Sequence, residues 1–161
     1  MLIKMKSNPP NPLNPRFTEI PKQPVMIKNE ERGELLRLAR EARENAYAPY
    51  TGYTVGAAVL TTKGNYYSGC NVENATLTMT THAEGNALTA AVGAGERSFK
   101  AILVLTDTDP PPFPCAICRQ SLAEFDRGEM LILAANTKGT VRETRLGDLY
   151  PEIFGPHELI R

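Results

Sequence analysis

Two short segments of the chain, His82-Ala83-Glu84 and Pro114-Cys115-Ala116-Ile117-Cys118, place the strongest constraint on its fold. One imidazole and two thiolates suit zinc, and three protein ligands leave the fourth tetrahedral position to water, as in catalytic sites. A carboxylate beside that water is better used as a base than as a fourth ligand. The fold must therefore bring both segments to one point, and a zinc-water hydrolase is the first functional hypothesis.

The spacing of the ligands indicates that both segments lie at helix starts. Cys115 and Cys118 are three residues apart and face one side of a first helical turn, where unpaired N–H groups and the positive dipole stabilise thiolates. His82 and Glu84 are two apart and diverge by about 200° on a regular helix. They can serve one metal only at a helix tip, for which the pair Thr80-Thr81 offers candidate caps.

Each half of this pattern also has a simpler interpretation. A lone C-x-x-C occurs in redox pairs and in half of a structural zinc site, and a lone internal His is commonly a hydrogen-bonded core residue. Together, H-x-E and P-C-x-x-C match the signature of the zinc deaminases. Only Cys70 and His157 remain for a second ligand set, and we expect Cys70 to be a buried small hydrophobe.

The composition of the whole chain argues against several classes of partner. With 18 basic and 18 acidic residues and a pI near 6.7, the chain has no broad basic field for nucleic acid or an anionic membrane. No apolar run approaches the roughly 20 residues of a membrane span, and the start lacks the apolar core of a secretory signal. Three cysteines, two of them in C-x-x-C, fit a reducing compartment. We expect a cytoplasmic protein with neither a membrane nor a nucleic-acid partner.

Residues 1–28 differ from the rest of the chain. They hold six prolines, which forbid a regular helix or central strand, and five basic side chains against Glu19 alone. We expect a disordered, PPII-like tail without a catalytic role. A targeting role is the alternative, and the absence of an amphipathic Arg/Ser pattern argues against it. The folded domain is expected to span residues 29–161.

Helices and apolar strands alternate along that domain. An amphipathic helix is predicted from Asn29, a candidate cap, to about Ala48-Pro49. The other predicted elements are strands at 55–60, 65–72, 101–105, 130–134 and 140–144, helices at 87–92 and 115–125, and short helical turns within 146–159. This order predicts an α/β fold, with a sheet covered on both faces as a three-layer α/β/α sandwich.

Beyond the metal signature, the chain resembles the cytidine deaminases of the short, homotetrameric type. The resemblance covers about residues 30–161, and its most specific part is the block Asn71-Val72-Glu73-Asn74-Ala75, typical of nucleoside deaminases. The other matching runs are Ala46–Tyr50, Val55–Ala58, Cys118–Gln120, Leu122–Phe125, Phe154–Pro156 and Glu158–Leu159. The fold implied is an α/β/α sandwich with a mixed five-stranded sheet.

The resemblance implies one zinc ion per subunit, held by His82, Cys115 and Cys118, with Glu84 as the proton shuttle. The implied reaction is hydrolytic deamination of cytidine or 2′-deoxycytidine to the uridine product, with release of ammonia, in pyrimidine salvage. One alternative is an aminohydrolase for N4-substituted, modified or antibiotic cytosine nucleosides. Others are a catalytically silent zinc-binding subunit, against which an intact Glu84 argues, and a C-x-x-C thiol oxidoreductase.

Five further residues are implied to bind the substrate. Asn71 and Glu73 correspond to residues that bind the ribose 3′-hydroxyl, and the backbone of Ala83 to one that reads the pyrimidine edge. Tyr53 stands where the family usually has a Phe that packs on the substrate. Phe154 matches an aromatic that closes a neighbouring subunit's pocket, which implies a homo-oligomer, a tetramer with shared active sites. For the two aromatics, ordinary packing is the alternative.

The chain departs from the family pattern at a few positions. His82 replaces the Cys usual in the short enzymes, and Gly85-Asn86 replaces Arg-Thr. Zinc with three thiolates carries a net charge of −1, which a neighbouring Arg can offset, whereas one His and two thiolates bring the sum to zero. Leu77 replaces a common Tyr and Phe113 a common Ser. We expect Leu77 and Gly85 to widen the pocket.

Overall fold

The computed structural model describes residues 25–159, in which five strands form one sheet between two layers of helices. The elements are α1 (Asn29–Glu44), β1 (Gly56–Thr61), β2 (Tyr66–Cys70), a 3₁₀ turn (Leu77–Met79), α2 (Ala83–Gly93), β3 (Phe99–Thr106), α3 (Ala116–Ala123), β4 (Leu131–Asn136), β5 (Val141–Arg145), α4 (Leu146–Leu149) and α5 (Pro156–Leu159). The strand order is β2-β1-β3-β4-β5, with β3 and β4 parallel and the other neighbours antiparallel. The predicted mixed five-stranded α/β/α sandwich is confirmed.

Each face of the sheet packs on its own apolar core. On one face, α1 buries Leu35 against strand residues such as Leu103. On the other face, Ala87 of α2 and Leu122 of α3 lie in one cluster with Ile102. Because successive strand residues point to opposite faces, the largely buried strands β1, β3 and β4 contribute to both cores. Such strands read as continuous apolar runs, which is why they could be predicted from the sequence.

The first helix is shorter at its end than predicted and starts at the residue that was expected to be its cap. Its N-cap is Lys28, whose backbone N–H donates to Glu31 Oε2 at 2.7 Å, so Asn29 is the first helical residue and not the cap. The helix ends at Glu44 rather than near Ala48-Pro49. The chain leaves the helix because Tyr47 forms a bridge with Val72 instead.

Two glycines allow helices to approach the sheet closely. A Cβ on Gly56 of β1 would lie 1.9 Å from the carbonyl oxygen of Ala39 in α1. A Cβ on Gly69 of β2 would lie 2.5 Å from the backbone nitrogen of Ala87 in α2. Without these glycines the helices would have to move outward. Gly69 therefore helps to set the position of α2, whose first residues carry the metal-site motif.

The limits of the folded domain differ slightly from the prediction. Ile27 is buried in the core beneath α1, so the packed structure begins before residue 29. Most of the predicted tail, residues 1–24, lies outside the described residues. Between residues 25 and 159, no helix has the length and apolar character that crossing a bilayer requires.

Candidate active site

A short extended segment joins three parts of the site. Val72 forms a parallel bridge with Tyr47 on one side and an antiparallel bridge with Thr81 on the other. The backbone of Thr81 exchanges two hydrogen bonds with Val72, at 2.9 and 3.0 Å. The residues that flank Val72, Asn71 and Glu73, are thereby tied to the start of α2.

Both metal-site motifs begin a helix, as predicted. His82 is the N-cap of α2 and Cys115 is the N-cap of α3, and neither helix start has a side-chain cap hydrogen bond. The expected caps are wrong: Thr81 pairs with Val72 through its backbone, while its Oγ1 accepts from Nδ2 of Asn86 at 3.0 Å. The first N–H groups of both helices are left without a helical partner and attract negative charge.

The three predicted metal ligands lie together. Nδ1 of His82 is 3.3 Å from Sγ of Cys118 and 3.4 Å from Sγ of Cys115, and the two sulfurs are 3.6 Å apart. A tetrahedral zinc with bonds of about 2.3 Å to sulfur and about 2.0 Å to nitrogen separates its ligand atoms by about 3.5 to 3.8 Å. The three atoms are therefore close to the spacing that zinc requires, and the donor set fits the ion.

The chemistry of the buried thiol points to a cation at this place. Burial raises the pKa of Cys118, and the charges of Glu84 and Cys115 raise that pKa further. A thiolate at this position needs a positive charge beside it, and a coordinated metal ion deprotonates a thiol outright. Cys115 is exposed whereas Cys118 is buried, so the pair reaches from the protein interior to the surface of the cavity.

One cavity of about 530 Å³ opens beside these ligands. Its size lies within the range of small-molecule sites. It is lined by Thr51, Tyr53, Val55, Asn71, Glu73, Thr80, His82, Ala83, Glu84, Val104, Thr106, Pro112, Phe113 and Cys115. Glu84, in the first turn of α2, is only 7% exposed and has no Lys or Arg ion-pair partner among residues 25–159. A buried carboxylate without a cation partner, at the edge of a cavity, is a candidate for proton transfer.

The two polar residues Asn71 and Glu73 of the 71–75 block line the cavity and also hold the neighbouring loop in place. Asn71 accepts from the N–H of Val55 and donates to the carbonyl of Tyr53, both at 2.8 Å. Glu73 accepts through Oε2 from the N–H groups of Tyr50 at 2.8 Å and Thr51 at 3.2 Å. Its Oε1 accepts from the Thr51 hydroxyl. The Thr51 hydroxyl, followed by the backbone donors, holds the pKa of Glu73 below its usual value, although burial opposes them.

The two predicted aromatic contacts lie in different places. Tyr53 lines the cavity, is 39% exposed, and its hydroxyl accepts from Oγ1 of Thr108 at 3.3 Å. Phe154 is 52% exposed and does not line this cavity; its backbone carbonyl accepts from Nε2 of Gln120 at 2.8 Å. Phe113 does line the cavity, and the guanidinium of Arg142 lies 4.4 Å from its ring centroid.

Two sequence-based expectations fail in the structure. Leu77 is 69% exposed, and neither it nor Gly85 lines the cavity of its own chain, so within one subunit these residues do not widen it. Cys70 is only partly buried, with its sulfur 3.4 Å from the carbonyl of Asn45. Arg119, which follows the metal ligand in sequence, donates to the carbonyl of Leu149 at 2.6 Å and does not line the cavity.

Sequence reasoning also missed several lining residues. Thr51 follows the Pro49-Tyr50 turn, and nothing in its local pattern marks it. Thr106 and Val104 lie near the end of β3, where it adjoins the parallel strand β4. Ligands commonly bind beyond the carboxyl ends of parallel strands, and that general rule is the signal that could have found Thr106.

Comparisons with known proteins agree with this geometry. Residues 29–134 match the family model of the cytidine and deoxycytidylate deaminase zinc-binding region. A cytidine deaminase of Sporosarcina psychrophila is 44% identical over 126 residues, which are 78% of this chain and 93% of the relative. The crystal structure of cytidine deaminase from Burkholderia pseudomallei has a TM-score of 0.74 and 41% identity, covering 80% of this chain and all of that chain.

A second solved structure supports the same assignment. Cytidine deaminase from Mycobacterium tuberculosis gives a TM-score of 0.67 at 36% identity, covering 76% of this chain and 96% of that chain. The family model spans more than half of the chain and includes His82, Cys115 and Cys118. By this family match and its His/Cys/Cys group, the chain is a zinc-binding enzyme of the cytidine deaminase family.

Proposed function

We propose that this protein deaminates cytidine and 2′-deoxycytidine by hydrolysis, with His82, Cys115 and Cys118 as zinc ligands and Glu84 as the proton carrier. The observation that carries the proposal is the convergence of the three ligand atoms with a buried carboxylate at one helix start, beside a cavity of about 530 Å³ that Asn71 and Glu73 also line. When bound, zinc acts as a Lewis acid that lowers the pKa of a coordinated water toward neutrality.

The chain's own residues supply the proton transfers and the orientation. Glu84 takes a proton from the attacking water and delivers it to N3 of the cytosine ring, which makes C4 electrophilic. The hydroxide that remains adds to C4. Glu84 then moves the proton of the new C4 hydroxyl to the amino nitrogen, the C4–N bond breaks as the C4 carbonyl forms, and ammonia leaves. The backbone of Ala83, at the first position of α2, is suited to bind the polar edge of the ring because its N–H has no helical acceptor.

The sugar is assigned to Asn71 and Glu73. Glu73 is an acceptor when ionised, and its lowered pKa keeps it ionised at neutral pH, ready for a hydroxyl donor. Asn71 has already committed one N–H and one oxygen lone pair to the 53–55 segment, which leaves one of each. Tyr53 is assigned to pack against the bound nucleoside.

The test is a substrate panel on the zinc-loaded protein. Absorbance change and ammonia release are followed for cytidine, 2′-deoxycytidine, N4-substituted cytidines and adenosine. We expect turnover of the first two, and no observation favours the larger substrates now that Leu77 and Gly85 are found outside the cavity. Turnover of N4-substituted cytidines alone would move the assignment to a modified-nucleoside aminohydrolase, and no turnover of any cytosine nucleoside would overturn it.

We also propose that the enzyme is a homo-oligomer, a tetramer in which Phe154 closes the active site of a neighbouring subunit. Support comes from the exposure of Phe154, which forms no part of the lining of its own chain's cavity. The exposed thiol of Cys115 also leaves the metal site accessible in a single subunit.

Subunit mixing tests this arrangement. Glu84→Gln removes the proton carrier of its own subunit, and Phe154→Ala removes the aromatic supplied to the next one. Mixed assemblies of the two inactive or weakened variants should regain part of the wild-type rate, because some sites receive an intact Glu84 and an intact Phe154. Sedimentation equilibrium gives the oligomer size. A monomer, or mixtures no more active than the sum of the separate variants, would contradict the shared site.

A further inference from the structure

The hydroxyl of Thr51 joins two parts of the cavity wall. It donates to Oε1 of Glu73 and accepts from the backbone N–H of Tyr53 at 3.0 Å. The backbone N–H of Thr51 also donates to Glu73, at 3.2 Å. Thr51 thus supplies two of the three donors that hold the carboxylate, and the third is the N–H of Tyr50 at 2.8 Å.

The direction of each of these hydrogen bonds is unambiguous. An ionised carboxylate only accepts, and a backbone N–H only donates. The hydroxyl of Thr51 must therefore give its single proton to Glu73 and present a lone pair to Tyr53. Because both neighbours impose the same orientation, the hydroxyl fixes the carboxylate of Glu73 and the backbone of Tyr53 relative to each other.

Oε1 of Glu73 keeps a lone pair after it has accepted from Thr51, and Glu73, Thr51 and Tyr53 all line the cavity. On the opposite side of the same loop, Asn71 holds the carbonyl of Tyr53 and the N–H of Val55, both at 2.8 Å. Of the links between the 71–73 segment and this loop, Thr51 is the one whose side chain touches the anion itself.

We propose that Thr51 is a positioning residue for nucleoside binding: its hydroxyl holds the carboxylate of Glu73 in the orientation that accepts the sugar hydroxyl. This inference rests on the proposed function and refines it. Thr51 does not take part in proton transfer, so it acts on substrate affinity and not on the chemical step. Its removal is therefore felt only by substrates that carry the hydroxyl bound by Glu73.

The experiment compares Thr51→Val with Thr51→Ser in the zinc-loaded enzyme. Valine keeps the branched shape and removes the donor, whereas serine keeps the donor. With cytidine we expect Thr51→Val to raise KM by roughly tenfold, the scale of a hydrogen bond to a charged group, while kcat stays within about twofold. Thr51→Ser should stay near wild type. With 2′,3′-dideoxycytidine, which lacks the sugar hydroxyl assigned to Glu73, the Thr51→Val enzyme and the wild-type enzyme should have the same KM.

Two further variants keep the result interpretable. Thr54→Val makes the same substitution three residues along, at a residue that does not line the cavity and whose carbonyl accepts from Arg43, and it should leave both KM values unchanged. Thr51→Ala removes the hydroxyl without the branched methyl groups and serves if the valine protein does not fold. In a Glu73→Gln background, loss of the Thr51 hydroxyl should add less to KM than it does in the wild type.

The possible results distinguish a failure of the role proposed for Thr51 from a failure of the proposed function. Wild-type turnover of cytidine with an unchanged KM in Thr51→Val overturns the role of Thr51 alone. Equal KM increases for cytidine and dideoxycytidine make Thr51 a general structural residue and also overturn it. A wild-type protein that deaminates no cytosine nucleoside overturns the proposed function and the role of Thr51 with it.

Discussion

A buried glutamate lies near each end of α2, and the two carboxylates have different partners. Glu96, just beyond the helix, is 4% exposed; its Oε1 accepts from Nδ2 of Asn65 at 2.7 Å, and its Oε2 lies 3.1 Å from Nζ of Lys63. Glu84, in the first turn, is 7% exposed and faces the cavity and the thiols instead of a Lys or Arg within residues 25–159.

This difference is the one expected between a carboxylate that stabilises the fold and one that moves protons, the role proposed for Glu84. A buried charge is costly unless hydrogen bonds and an opposite charge compensate it. Glu96 has both, which makes it an anchor between α2 and the turn after β1. Glu84 has the positive end of α2 and a site suited to a cation, but it keeps a face open to a ligand. Substitution of Glu96 should therefore lower the stability of the fold, whereas substitution of Glu84 should lower the catalytic rate.

The largest expected effect is the loss of turnover in Glu84→Gln. Glutamine is nearly isosteric but cannot carry the proton between water, ring nitrogen and leaving group, so kcat should fall by roughly 10² to 10⁴-fold. Zinc content, measured by atomic absorption, and the thermal midpoint should stay near wild type. Near-normal kcat in Glu84→Gln would contradict the proposed role of Glu84. A fall in kcat of the same size in Glu96→Gln would contradict the difference between the two carboxylates.

The charge balance at the metal site should produce the next largest effect. His82→Cys gives zinc a third thiolate and a net charge of −1, which makes it a poorer Lewis acid. We expect kcat to fall by roughly tenfold, or about 1.4 kcal/mol in the barrier, with zinc still bound.

An added Arg tests whether charge is the cause. A Cβ at Gly85 has no other atom within 4 Å, so Gly85→Arg can be accommodated and can restore the charge balance. The double variant His82→Cys, Gly85→Arg should recover kcat relative to His82→Cys alone. Unchanged kcat in the single variant, or no recovery in the double variant, counts against the charge argument.

A smaller effect is expected in the acid limb of the stability curve. Hydrogen bonds from Asn65 and then Lys63 hold the pKa of Glu96 below its usual 4.5. The folded state therefore binds fewer protons than the unfolded state as the pH falls below that value. The stability that Glu96 contributes is fully present above pH 4.5 and is lost as the pH drops through its lowered pKa.

Urea unfolding between pH 7 and pH 3 measures this contribution. Glu96→Gln should be less stable than wild type at pH 7, and the two free energies of unfolding should converge toward pH 3. Glu152, whose carboxylate is exposed, provides the control, since the free energies of unfolding of Glu152→Gln and wild type should change with pH in the same way. A constant difference between Glu96→Gln and wild type at all pH values would show that charge is not the source of its stability.

The contrast between Glu84 and Glu96 also marks what could be predicted from sequence. The all-apolar runs of β3 and β4 and the H-x-E and C-x-x-C spacings are local signals, and they located the sheet and the three candidate ligands. The ligand spacing indicates a helix start at His82-Ala83-Glu84, but apolar periodicity predicts the helix only from residue 87, because Glu84, Gly85 and Asn86 carry no apolar pattern. Contacts between distant segments, such as Thr51 with Glu73 or Lys63 with Glu96, leave no pattern in the sequence of either segment. They can be identified only from the three-dimensional structure.

The smallest effect is expected at the Tyr53 hydroxyl, which tests whether a polar group on the cavity wall must also be functional. That hydroxyl accepts a single 3.3 Å hydrogen bond from Thr108, and the residue is 39% exposed. Its removal in Tyr53→Phe should change KM for cytidine by no more than about threefold, since hydrogen bonds between neutral, exposed groups contribute about 1 kcal/mol or less. Tyr53→Leu is the matched variant, because loss of the aromatic face should raise KM further while kcat changes less. A change beyond tenfold in Tyr53→Phe would mean that the hydroxyl itself contacts the nucleoside, in addition to the aromatic face.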